Sequence, residues 1–274
     1  MTHTPRTIQP RTWTSLALAT TAAALTASAG YAGADITLKA PSETVWLAQA
    51  QGGEGGEGGA RVDPDAAPDD ATYLAALGFM EGHLAAGVAL YRAGETTLAK
   101  THTQHPKDEI YPTLAPMMTA RGFAGFEGEL AALADAVAAN APVSEVEALL
   151  ETLLKATAAA SEIGASDRAQ LDALVTLSRT AANEYAVGVV DAKVVDLPEY
   201  QDAWGFLKIV KQRAEILSGD GEEDVAKAAK SIVGAVAETE TAFGGVAADA
   251  PLSAGSDVLF GAAARIEIAT LSVK

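Results

Sequence analysis

The chain contains no cysteine. That excludes structural disulfides, a lipoprotein anchor, thiolate zinc sites, iron–sulfur clusters and C-x-x-C-H haem attachment. Basic residues are also in short supply: 19 lysines and arginines stand against 36 acids, for a formal charge of −17. Such a surface repels nucleic acid and anionic membrane, both of which are bound through lysine and arginine contacts to phosphate. It attracts cations and keeps an alanine-rich helical protein soluble. Beyond residue 34, no stretch approaches the ~20 continuous apolar residues of a transmembrane helix.

Catalytic signatures are missing as well. There is no G-x-S-x-G elbow, Walker A loop, Rossmann fingerprint or H-E-x-x-H pair. Glu-x-x-His does not occur on two helices, as a di-iron bundle would need. Carboxylates are too numerous for any pair to mark glycosidase chemistry. The expectation is a protein that is not an enzyme.

The first 34 residues read as a secretory signal, with Arg6 and Arg11 in the n-region and Leu16 to Ala29 as an apolar h-region. Ala32-Gly33-Ala34 forms an A-x-A cleavage pattern, and Ala48-Gln49-Ala50 forms a second. Residues 1–34 carry two arginines and no acid, so their removal takes the charge from −17 to −19. The mature protein is then expected in an oxidising compartment, most simply a bacterial periplasm. Residues 35–70 include QGGEGGEGGARVDPDAAPDD, whose glycines and charges cannot bury apolar surface and so predict a flexible acidic linker.

From residue 71 to 274 the apolar pattern is helical. The spacing predicts an all-α antiparallel bundle of about seven or eight helices, as one domain or as two sub-bundles split near 140–165. Asp69 or Asp70 can cap a first helix stopped by Gly94, and Ser144 with Glu147 has capping-box spacing. Pro106 opens a helix in which Pro112 and Pro116 warn of a kink or break. Ser166 can cap a helix from Asp167, and Pro198 begins another.

Histidine is scarce, with four in the chain. His3 lies in the signal, and the other three, His83, His102 and His105, gather in one short window. Met80 and His83 are three apart on one helix face, as are His102 and His105, with Glu109 four beyond. Imidazole is the commonest metal-ligand side chain. These residues predict a metal site of His83, His102, His105 and Glu109, with Met80 as an adjustable extra. Imidazole with carboxylate suits iron or zinc, and two histidines with one carboxylate suit Fe(II). Imidazole with thioether leans to copper, and His–Met ligation of a non-covalent haem stays open. Iron ranks first and copper second. A core histidine, a helix-end histidine and an exposed one would equally account for the three taken singly.

A second segment, NEYAVGVVDAKVVDLPEYQDAW, holds Tyr185, Asp191, Val194, Val195, Glu199 and Tyr200. It resembles the periplasmic extension of bacterial high-affinity iron permeases, where a tyrosine precedes an apolar-Asp-Gly turn and a Glu-Tyr helix start. Ala192 stands where that pattern favours glycine. The resemblance implies a helix–turn–helix in an iron-uptake context and a membrane permease as a possible partner. The chain is also similar in general character to all-α periplasmic metal-uptake proteins, although it lacks the Gly-x-His-x-x-Glu of the imelysin-like group. The competing expectation is a metal-free all-α scaffold of the cell envelope whose histidines are structural.

Overall fold

The computed structural model describes residues 69–273. The expected signal and nearly all of the expected linker lie outside the described residues. Within them the chain is almost wholly helical: α1 (Asp70–Ala93), α2 (Thr96–His105), α3 (Tyr111–Ala120), α4 (Glu127–Ala138), α5 (Val143–Ser161), α6 (Asp167–Gly188), α7 (Leu197–Asp220), α8 (Glu223–Thr239) and α9 (Ser256–Thr270). Two short strands, β1 (Val189–Val190) and β2 (Lys193–Val194), pair antiparallel between α6 and α7.

The ends of these helices follow from local chemistry. Asp69 accepts a hydrogen bond from the Thr72 amide at 2.7 Å, and Ser166 accepts one from Ala169 at 3.2 Å. Each satisfies a donor that the first helical turn leaves unpaired. Gly94 ends α1 with φ +89°, where its amide reaches back to the carbonyls of Leu90 and Tyr91. The capping box expected from Ser144 and Glu147 does not form. Pro142 takes the cap position, so Ser144 is already inside α5.

Between α2 and α3 the helix continues through Pro106, which sequence alone places at a helix start. Proline has no amide to offer the carbonyl four residues back, and its ring crowds that carbonyl. The chain absorbs the defect as a π-helical turn over Pro106–Ile110, in which the Tyr111 amide bonds to Pro106 O. Pro116 is carried inside α3 in the same continuous run.

Helices α6, α7, α8 and α9 pack around a core of Leu174, Tyr185, Tyr200, Phe206, Val210, Ile232 and Ile266. A second core gathers Tyr73, Leu77, Met80, Leu84, Leu114, Met118 and Leu130 from α1, α3 and α4. α1 packs on both α6 and α7, α2 packs on α1 and α4, and His102 of α2 reaches Gln201 of α7. Partly buried Arg213 of α7 ties α7 to α1, donating to Leu74 O at 2.7 Å and to Glu81 at 2.9 Å. By length and composition α1 is apolar enough to cross a membrane, but 78% of that stretch is buried inside the fold. It is the core helix of the bundle.

Candidate metal centre

The site begins with two glycines. A Cβ on Gly205 of α7 would lie 2.3 Å from Gly82 O, and one on Gly82 of α1 would lie 2.5 Å from the Phe206 ring. Side chains at these positions would separate the helices; their absence lets α1 and α7 touch backbone to backbone. Gly87 does the same for α2, since its Cβ would meet Thr103 Cγ2 at 3.0 Å and His102 Cβ at 3.1 Å. Three helices are thereby drawn together beside His83, His102 and Asp202.

At that crossing Asp202 Oδ1 lies 2.6 Å from His83 Nδ1 and 3.1 Å from His102 Nδ1. The three groups form a cluster whose ligand atoms are within 4.8 Å of one another. All are buried, at 1% exposure for His83, 3% for His102 and 6% for Asp202, so solvent cannot solvate a charge there. Oδ1 of Asp202 is the atom on which both imidazoles converge. Two imidazole nitrogens and a carboxylate oxygen are thus gathered at one buried place.

Burial alone would raise the Asp202 pKa, but the charge of His83 and the close contacts with both imidazoles outweigh it. The carboxyl is held well below the usual carboxylate range and is ionised. His102 Nε2 stands 2.8 Å from Gln201 Oε1, a residue with no exposure. A contact with that oxygen holds the ring so that Nδ1 is turned toward Asp202. This is how outer hydrogen bonds orient metal-ligating imidazoles. The buried donor set of two imidazole nitrogens and one carboxylate, all within 4.8 Å of one another, fits a divalent transition metal ion.

The residues expected from sequence occupy graded positions around this cluster. His83 and His102 are at its centre. The His105 ring sits 4.9 Å from that of His83, nearly perpendicular to it, and His105 Nδ1 is 3.5 Å from Glu109 Oε1. Glu109 is at the surface, and Met80 is fully buried in the hydrophobic core. Asp202 and Gln201 both lie in the tyrosine segment, and neither is among the ligands expected from sequence. The available signal was a carboxylate four residues before Phe206, on the apolar stripe of α7.

The tyrosine segment serves packing. The Tyr185 hydroxyl lies 2.8 Å from Ala242 O and 3.0 Å from Ala254 O. Tyr200 donates to Gly245 O and accepts from the Gly244 amide. Together they tie the connection between α8 and α9 to the bundle. Asp191 and Ala192 both have positive φ, at 51° and 55°, and form the two-residue loop between β1 and β2. The turn of the expected helix–turn–helix is therefore made with alanine in the left-handed region.

These features define a helical-bundle protein with a buried imidazole–carboxylate cluster at a helix crossing. Residues 164–267 match the family model of the iron permease-associated 4-helix bundle domain. The match spans α6 to α8 and most of α9, and includes the whole Tyr185-to-Tyr200 segment that carries the resemblance. It associates this part of the chain with iron permeases. No curated protein and no solved structure matches the chain. Asp202 lies inside the matched segment, whereas His83 and His102 come from helices that precede it.

Proposed function

We propose that this protein is exported to the periplasm and binds a ferrous ion for uptake, with His83, His102 and Asp202 as ligands. The carrying observation is the buried Asp202 Oδ1 within 3.1 Å of two buried imidazole nitrogens. Two histidines and a carboxylate are the ligand set of non-haem Fe(II) sites, and the iron-permease association of the C-terminal bundle supports iron over zinc or copper. The negative surface concentrates cations near the site. The protein acts as a binder that handles iron for a membrane permease, not as a catalyst.

The test is to express the full chain in a bacterium, fractionate the cells and measure the metal content of the purified protein. The expected result is recovery from the periplasm, shortened at its N-terminus, with about one iron per chain. Cytoplasmic retention would refute export. Failure to retain or take up any metal would leave a metal-free envelope scaffold.

A further inference from the structure

The cluster is buried, yet an ion that is handled must enter and leave. On two sides it is closed. The Phe206 ring stands perpendicular to His83 at 5.1 Å, and the Gly82–Gly205 crossing leaves no space between backbones. Toward the turn after α2, exposure instead rises in steps. His83 is 1% exposed, the His105 side chain 10% and the Glu109 side chain 53%. The groups are in sequence: His83 to His105 ring to ring at 4.9 Å, then His105 to Glu109 at 3.5 Å.

The backbone that carries this series is the π-helical turn. Glu109 belongs to it and His105 immediately precedes it. A π turn inserts an extra residue and re-aims the side chains around it, and such turns recur at functional sites. Here it places the surface carboxylate of Glu109 beside the largely buried His105, whose ring in turn meets that of His83.

Resting on the iron-binding reading above, we propose that Glu109 and His105 form the port through which a divalent cation exchanges between solvent and the cluster. A hydrated cation gives up its water reluctantly, and stripping it in one step before a dry site carries a high barrier. Stepwise replacement lowers that barrier: the Glu109 carboxylate meets the hydrated ion, the His105 imidazole replaces further water, and His83 takes the ion inward. A port lowers the barrier in both directions. It therefore changes capture and release rates together and leaves affinity alone.

The experiment uses the full chain under anaerobic conditions with Fe²⁺ as the probe. Stopped-flow capture and extraction by excess chromophoric chelator are followed for wild type, Glu109→Gln and His105→Leu. Both variants are expected to bind the same amount of Fe²⁺ as wild type, with capture and release each slowed about tenfold and their ratio preserved. Glu109→Asp should recover part of the lost rate. Unchanged rates in both variants would overturn the port. Loss of bound iron in His105→Leu would overturn it too, by making His105 an equilibrium ligand. Failure of the wild type to take up Fe²⁺ would instead refute the site itself.

Discussion

Asp202 Oδ1 lies 2.6 Å from His83 Nδ1, and that contact joins α7 to α1 next to the place where Gly205 meets Gly82. One residue belongs to the segment matched by the iron permease-associated domain and the other precedes it. The cluster is therefore composite. A cation bound there would hold the N-terminal helices against the C-terminal bundle, so that binding stabilises the fold by mass action.

The glycine crossing makes a first prediction. In a helix interior, glycine to alanine normally stabilises by about 0.5–1 kcal/mol. Gly234 of α8, which has nothing within 4 Å of its Cβ position, should behave that way. Gly205→Ala should do the opposite, because its Cβ would strike Gly82 O. Overpacking of this kind costs about 1–3 kcal/mol. Denaturant unfolding of the two variants should move in opposite directions, and Gly205→Ala should also weaken Fe²⁺ binding by parting His83 from Asp202.

A second prediction concerns alkaline stability. Burial, and secondarily the neighbouring Tyr200, pushes the Tyr185 phenol from 10.0 up to about 12. The folded protein keeps the proton that the unfolded chain releases near pH 10. The contribution of Tyr185 to stability is thus complete below pH 10 and is lost as pH rises toward 12. Tyr185→Phe should be less stable at pH 7 by about 1–2 kcal/mol, through loss of the hydroxyl's hydrogen bonding. Its decline between pH 10 and 12 should be shallower than that of the wild type, as read from urea midpoints across that range.

Ala192 supplies a third. At φ +55° it occupies the left-handed region, which costs a residue with a Cβ roughly 1–2 kcal/mol. Glycine pays no such penalty but loses more chain entropy on folding, so the net gain is smaller. Ala192→Gly should stabilise the protein by about 0.5–1 kcal/mol. A decrease in stability would mean that the β1–β2 loop is not held in this conformation.

Much of this architecture was legible in the sequence because helix ends are written in local chemistry. Asp69, Gly94 and Ser166 mark their boundaries through hydrogen bonds within a few residues, and Pro198 marks its own by a fixed φ and a missing amide donor. The π turn was not, since Pro106 suits a helix start as well as it suits a defect carried within a continuing helix. The two-residue strands were also hidden, because Asp191-Ala192 lacks the glycine that usually signals such a hairpin. At the site, the convergence of His83 with His102 could be anticipated from their shared window. Asp202 could not: it sits beside Gln201, whose contact with His102 spans 99 positions of chain. Only the close packing at Gly82 and Gly205 brings them together, and no local pattern announces which glycines will meet.

The central claim is that His83, His102 and Asp202 hold one ferrous ion. The most direct test is anaerobic calorimetric titration of Fe²⁺ into wild type, His83→Ala and Asp202→Asn, with each variant's fold verified by circular dichroism. The wild type should show a single site of about one ion per chain, and each substitution should weaken it by at least about 100-fold. Binding in Asp202→Asn indistinguishable from that of the wild type would contradict the account.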